Sequence, residues 1–574
     1  MKTQKTLPEI LNWRTAQNPD QVLFTFLRDG EKEKINMSAG ELHNSANRIA
    51  GYLLERKKRQ QPVLLLFPEG LEFVKAFYGC LISGAIAVPA NPSIFSRNYL
   101  RLESIATDST AKLILSARSL KEKILKNVAP DSILHKQEWV CFEDVVSRDS
   151  SEVSKEVEPS ELALLQYTSG SVGNPKGVML THGNLTSNQK VIAKVCEYPK
   201  DCVSVVWLPV YHDMGLVEKA MQPVFAGLHT ISTSPLSVLQ RPIRWLNIMS
   251  DYKAHKSGGP NFFYDFCVEK LKDKDLTHLD LKNWKLAYNA AEPVHKSTMT
   301  RFYEMLKPYG FSKTTFYPCY GMAESTLYIT GGKIDEEPKY DSSNLLRKKN
   351  SNGTPGGGQH FAFLDRVSCG RTWEDQEVII VNPETREKLN ENNEGEIWTR
   401  GESVGVGYWN KRELTKKCFH AFTANDTDGP WLRTGDLGYF KNKKLYISGR
   451  LKDIVIVNGK KYYPHDIERV AEQSHDALKS NCAAAFQVFE NNSEELFLIC
   501  EVKRDRISGL SEAKVSSEIR RSVWLHFGLL LHSIYFTKPS VIPKTSSGKI
   551  QRFVCKKMFL GNEIKPIAKW TTRL

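Results

Sequence analysis

Apolar residues recur along the first part of the chain with two different periods. Leu42, Ala46, Ile49, Ala50 and Leu53 follow the spacing of one helix face. Val63-Leu64-Leu65-Leu66-Phe67 is an unbroken apolar run, as expected of a strand buried on both faces. A helix over Leu71 to Ser83 and a second strand over Ala85 to Val88 complete a βαβ unit, which predicts a parallel sheet covered by helices. Similar alternation continues past residue 330. Residues 334–364 interrupt it. They are rich in Asp, Glu, Lys, Asn, Ser and Gly, include Gly353-Thr354-Pro355-Gly356-Gly357-Gly358, and read as an inserted loop with a hydrophobic foot at Phe361 and Phe363. Short strands and turns follow from Glu377 to Tyr446. Gly449-Arg450-Leu451-Lys452-Asp453 marks a junction. Beyond it, strands at Ala483–Phe486 and Leu496–Val502 and a helix from Ser511 make a domain-sized segment.

Length and composition narrow the class. A chain of 574 residues is too long for one ordinary core, and 41% apolar with 25% charged residues is a globular composition. The net charge of +14 is spread over the chain, with only short clusters such as Arg56-Lys57-Lys58-Arg59 and Arg347-Lys348-Lys349. That pattern is a solvated basic surface, not a nucleic-acid stripe. The 11 cysteines form no C-x-x-C pair and no His cluster has zinc spacing, which fits a reducing compartment without a disulfide framework. Met1 to Glu9 lacks the apolar core of a signal peptide. The longest apolar run, Phe77 to Ala90, is interrupted by Gly79, Gly84 and Pro89 and is too short to span a bilayer. A soluble, cytoplasmic protein without a transmembrane segment is expected.

The strand-like Leu164-Leu165-Gln166-Tyr167 runs into Thr168-Ser169-Gly170-Ser171-Val172-Gly173-Asn174-Pro175-Lys176-Gly177. Glycines and small hydroxyl residues let backbone N–H and side-chain O–H groups reach phosphate oxygens, and the lysine adds a mobile positive charge. The order differs from the common P-loop, because Pro175 precedes the lysine and Gly177 follows it.

This loop resembles the phosphate signature of the adenylate-forming superfamily, which includes acyl-CoA synthetases, firefly luciferase, peptide-synthetase adenylation domains and fatty acyl-AMP ligases. Four further motifs follow in the family's order: Tyr320-Gly321-Met322-Ala323-Glu324-Ser325-Thr326, Thr434-Gly435-Asp436, Gly449-Arg450-Leu451-Lys452-Asp453 and Pro543-Lys544-Thr545-Ser546-Ser547-Gly548-Lys549. The resemblance spans nearly the whole chain. It implies an α/β fold with a large N-terminal domain (1–449) of parallel-sheet subdomains and a small β-barrel-like part. A small mobile α+β C-terminal domain (450–574) would carry Lys549. One departure is Val172, where the family usually has Thr or Ser.

The resemblance also implies roles. ATP is a substrate and Mg²⁺ a cofactor. Thr168, Ser169, Gly170, Ser171 and Lys176 would hold the β/γ-phosphates, Glu324 would place Mg²⁺, and Ser325 would touch the α-phosphate. Tyr320 would stack on adenine within the Tyr320-Gly321-Met322-Ala323 stretch, with Asn289, Ala290 and Ala291 at the adenine edge. Asp436 would accept from the ribose hydroxyls, with Arg450 beside the ribose or phosphate. Lys549 would bridge the attacking carboxylate and the α-phosphate, and Lys452 would be the hinge.

Trp207-Leu208-Pro209-Val210-Tyr211-His212-Asp213-Met214-Gly215-Leu216 resembles fatty acyl-AMP ligases in particular. So do Leu236 to Trp245, Gly259-Pro260-Asn261-Phe262 and Asn289-Ala290-Ala291-Glu292-Pro293, although that subfamily commonly has Gly at the position of Ala290. His212 would stand beside the acyl carboxylate, or else form a structural pair with Asp213. Phe262, Phe263 and Trp207 would wall an acyl tunnel, or else belong to the ordinary core. The 334–364 insertion matches the place where that subfamily carries one linked to transfer to an acyl carrier protein instead of coenzyme A. The expected activity is fatty acyl-AMP formation from a medium- or long-chain acid. An acyl-CoA synthetase and a non-catalytic nucleotide-binding relative are the alternatives.

Overall fold

The computed structural model describes residues 5–92, 99–147, 156–168, 175–342, 365–424, 429–457, 460–490, 493–545 and 548–572. Ser169, Gly170, Ser171 and Val172 of the phosphate loop lie outside the described residues, as does 343–364 of the polar insertion.

The βαβ unit forms where the apolar pattern puts it. Ser38 caps the helix Ala39–Glu55 in a reciprocal capping box with Glu41. Leu42, Ala46, Ile49, Ala50 and Leu53 are all fully buried. Strand Pro62–Leu66 is followed by helix Glu72–Ser83, which Gly84 ends in the left-handed conformation at φ +70. Strand Ile86–Pro89 then pairs parallel to the first, Val63 opposite Ala87.

Two large sheets result. One has seven strands, with Leu162–Thr168 next to Ile86–Pro89 and antiparallel edges at Lys176–Thr181 and Gly407–Tyr408. The other has eight, with Val203–Val206, Lys256–Pro260, Leu286–Ala290 and Phe316–Gly321 parallel at its centre. Helices packed between the sheets share one apolar core with both, so Glu72–Ser83 is buried nearly all round. Alternation along Pro62–Leu66 sends Val63 and Leu65 into that core and Leu64 and Leu66 into a second one on the outer face. Where a barrel-like part is expected, Glu377–Val381, Gly395–Arg400, Leu432–Lys441 and Lys444–Arg450 form a four-stranded antiparallel sheet.

After residue 450 a four-stranded sheet is built from Leu478–Glu490, Ser493–Val502, Ser533–Thr537 and Ala568–Thr571. It packs on helices Pro464–Gln473 and Glu512–Phe527 around apolar clusters of its own. This segment docks on the preceding sheets through polar contacts. The Arg366 guanidinium donates to both Asp466 oxygens (Nη1–Oδ1 3.0 Å), and Ser480 Oγ donates to Glu269 at 2.8 Å.

Candidate active site

A cavity of about 1600 Å³ lies where the eight-stranded sheet, the 377–450 sheet and the C-terminal segment meet. It gathers Thr168, Lys176, His212, Ala290, Ala291, Tyr320, Gly321, Met322, Ala323, Glu324, Asp436, Arg450, Lys452 and Lys549 from six separate stretches of chain.

Strand pairing fixes one wall. Asp436 and Arg450 are directly opposite each other on adjacent antiparallel strands, so the Arg450 Nε lies 3.0 Å from Asp436 Oδ1. The Tyr320 hydroxyl, at the end of its strand, donates to Asp436 Oδ2 at 2.8 Å. Asp436 is buried, yet each oxygen keeps a lone pair for another donor. Ala291, just past the end of Leu286–Ala290, is left-handed at φ +72, a conformation alanine rarely adopts. Thr326 is the sharper outlier: a β-branched, buried residue at φ +64, held by its hydroxyl donating to the Ser403 carbonyl at 2.8 Å. Such strain tends to collect at functional sites.

A second wall carries the two residues that flank the glycine-rich segment 169–174. Thr168 and Lys176 face each other across the hairpin that the loop joins. Lys176 Nζ sits 5.1 Å from the centre of the Tyr408 ring, and the Tyr408 hydroxyl donates to Glu324 Oε1 at 2.7 Å. Burial pushes the Glu324 carboxyl above its usual range.

The C-terminal segment closes the third side. Lys549 stands on a tight loop in which its N–H donates to Thr545 Oγ1 at 3.1 Å and its carbonyl accepts from Thr545 N at 2.8 Å. Gly548, at φ +84, lets this loop lie on Phe262; a Cβ there would come within 2.6 Å of the ring. Burial and the nearby Arg450 lower the Lys549 pKa, opposed by Asp213, Asp436 and Glu292. Asp213 is itself clamped: it accepts from His212 Nδ1 at 2.6 Å and from Met214 N at 2.7 Å. Burial would raise its carboxyl, but His212 and Lys549 bring it below the usual range. Burial raises the Glu292 carboxyl to about 7 while it accepts the Phe262 N–H. Lys452 occupies a 3₁₀ turn, Leu451–Asp453, at the cavity edge.

Two of the described residues expected at the nucleotide stand apart from the cavity lining. Asn289 is fully buried and donates to Asn261 Oδ1 at 3.3 Å, and Ser325 is buried with its Oγ 3.4 Å from Ser403 Oγ. Trp207 and Phe263 belong to the core: their ring centroids are 4.1 Å apart, and Gly259 leaves the space that Trp207 fills. Of the three aromatics expected as tunnel walls, Phe262 alone lines the cavity. Glu292 and Asp213 also line the cavity, from inside motifs that assign them no role. No local pattern marks Tyr408, which is 84 positions from the glutamate it touches.

An apolar arm of the cavity runs along the sheet. Leu286, Tyr288 and Ala290 line it from one strand, and Tyr317, Cys319 and Gly321 from the next, the two-residue period of a single sheet face. Ile192, Val195 and Cys196 line it from helix His182–Val195 and its C-cap, with Met214 and Glu218 from the turns after His212.

The AMP-binding enzyme family model matches residues 11–409, and the model described as Disco-interacting protein 2-like, AMP domain, matches residues 452–569. The chain is 37% identical over 576 residues to a medium-chain-fatty-acid–[acyl-carrier-protein] ligase of Moorena producens, covering 99% of this chain and 97% of that one. A ligase of the same description from Teredinibacter turnerae is 32% identical over 604 residues, with coverage of 97% and 94%. The structure of a fatty acyl-adenylate ligase from Legionella pneumophila, in complex with acyl adenylate and pyrophosphate, superposes with a TM-score of 0.73 at 34% identity, covering 99% of this chain and 98% of that one. With these matches over the whole length, and with the cavity built from the family's motifs, the chain belongs to the AMP-binding, adenylate-forming enzyme family.

Proposed function

We propose that this protein activates a medium-chain fatty acid with ATP, forming fatty acyl-AMP and pyrophosphate, and passes the acyl group to an acyl carrier protein. The observation that carries the proposal is the cavity itself. It joins an anion-handling end, with Lys549, Arg450 and Lys176, to an apolar arm along the sheet. The curated relatives' carrier-protein ligase activity supports the acceptor.

A fatty acid with a pKa near ~4–5 is already ionised at neutral pH, so no general base is required. One carboxylate oxygen bonds to the α-phosphorus. The bond from that phosphorus to the bridging oxygen breaks, and pyrophosphate leaves with the electron pair. The obstacle is two anions meeting, which positive charge and positioning overcome. Lys549 bridges carboxylate and α-phosphate, while Asp213 keeps His212 oriented beside the acyl carboxylate. Asp436 accepts from the ribose hydroxyls with Arg450 alongside, and Tyr320 stacks on adenine, whose edge meets the backbone of Asn289, Ala290 and Ala291. Thr168, Lys176 and Ser169 to Ser171 take the β/γ-phosphates. Ser325, whose Oγ lies 3.4 Å from Ser403 Oγ, is the hydroxyl for the α-phosphate.

Mg²⁺ fits this donor set. In nucleotide sites it uses one or two carboxylates and completes its shell with phosphates and water. Glu324 offers one such carboxylate in the cavity. Among the described residues no group of three or more His, Cys, Asp or Glu could hold a metal. When bound, the ion would neutralise charge on the departing pyrophosphate. We take 1–449 and 450–574 as the working division, with Lys452 as hinge, in line with the two family models meeting between 409 and 452. The cytoplasm suits eleven unpaired cysteines, and no helix among the described residues is long and apolar enough to cross a membrane.

Mass spectrometry after incubation with ATP, Mg²⁺ and mixed fatty acids should find acyl-AMP. Adding a phosphopantetheinylated carrier protein should yield its acyl form, and adding coenzyme A should not yield acyl-CoA. Acyl-CoA as the main product would instead establish a thioester-forming synthetase.

A further inference from the structure

The apolar arm ends on a buried ion pair. Lys256 Nζ lies 2.7 Å from Glu218 Oε2 and donates to the Tyr198 hydroxyl at 2.7 Å. Both charged side chains are almost wholly buried, 3% and 7% exposed, and both line the cavity. The Tyr288 hydroxyl, also buried on this wall, has no hydrogen-bond partner among the described residues, and Lys256 Nζ sits 5.8 Å from its ring centre.

Strand register places this pair at the far end. Lys256 is opposite Leu286, whereas Pro260 is opposite Ala290 at the nucleotide end. The two ends lie four steps apart along the strand, a distance of about 13 Å at ~3.3 Å per residue. Glu218 sits on a π-helical turn, Val217–Met221, an irregularity often found at functional sites. Its neighbour Lys219 points elsewhere, to Glu69 Oε2 at 2.7 Å, and so braces the turn from the other side.

We infer that the Lys256–Glu218 pair is the end wall of the acyl arm and sets the upper limit on chain length. This rests on the fatty acyl-AMP reading above. An alkyl end reaching the pair meets groups that already satisfy one another. A longer chain would have to part them, and a buried charge stripped of its partner is strongly unfavourable. Packed hydrophobic side chains of similar volume carry no such penalty and yield more readily, methionine above all.

The test is the chain-length profile of acyl-AMP formation by the full-length protein. In the wild type, kcat/KM should fall from decanoic to hexadecanoic acid by about tenfold or more, the discrimination that added methylenes bring in a closed pocket. In a Lys256→Met/Glu218→Leu double variant the hexadecanoic-to-decanoic ratio should rise by about tenfold. A wild type that uses both acids equally overturns the inference, and needs no variant to fold. An active double variant with an unchanged ratio overturns it as well. Failure to form acyl-AMP from any fatty acid would instead sink the underlying reading of the site.

Discussion

Lys549 illustrates how little of a site is fixed by one residue type. Its ammonium draws its setting from Arg450 on one side and from Asp213, Asp436 and Glu292 on the other. Lys549→Ala should cut adenylation on the order of 10²–10³-fold, as loss of one charge-stabilising donor does, with little change in the KM for ATP. ATP–pyrophosphate exchange reads this directly, and an unchanged rate would remove Lys549 from the chemistry. His182 gives a pH effect. It is 1% exposed, and burial together with Arg59 lowers its pKa to about 3. The unfolded chain binds this proton near ~6.5 and the folded one does not, so its contribution to stability is full above that pH. As pH falls from ~6.5 toward 3, this group should cost up to about 1.4 kcal/mol per pH unit. Denaturant melts should show that slope in the wild type and lose it in His182→Gln.

Among the elements, the turn at Gly548 and Lys549 matters most, because Gly548 carries both its left-handed backbone and its contact with Phe262. A methyl group at that position would meet Phe262, and φ +84 disfavours any side chain. Gly548→Ala should therefore lift the loop off Phe262 and displace Lys549. A displacement of about 1 Å can cost on the order of 10²-fold in rate. Nucleotide binding by the Asp436 wall should persist, so isothermal titration with ATP separates mispositioning from unfolding. Equal adenylation rates in variant and wild type would show that the contact is incidental.

For the whole molecule, the active arrangement depends on how the C-terminal segment docks. Its own apolar clusters hold it together, while the junction is made by polar groups such as Arg366 with Asp466 and Ser480 with Glu269. Removing one partner of a mostly buried ion pair costs about 3–5 kcal/mol, enough to shift a docking equilibrium. Arg366→Ala should lower kcat for adenylation and speed limited proteolysis around residues 450–460, leaving the melting of the large sheets nearly unchanged. A proteolysis pattern identical to that of the wild type would refute this.

The alternating sheet elements, the family and the motif-borne residues of the cavity are legible in the order of residues alone. Apolar period and motif order are local properties, carried by residues close together in the chain, so Leu42 to Leu53, Thr434-Gly435-Asp436 and the Gly548-Lys549 loop were legible. Which residues become partners is settled by folding. Tyr408 reaches Glu324 across 84 positions, and Asp436 ties Tyr320 to Arg450. Trp207 and Phe263 fall into the core, and Lys256 meets Glu218 on the cavity wall. Contacts of this kind depend on sheet register and helix packing, which bring distant residues together, and a linear pattern of hydrophobic and polar positions does not encode their distances.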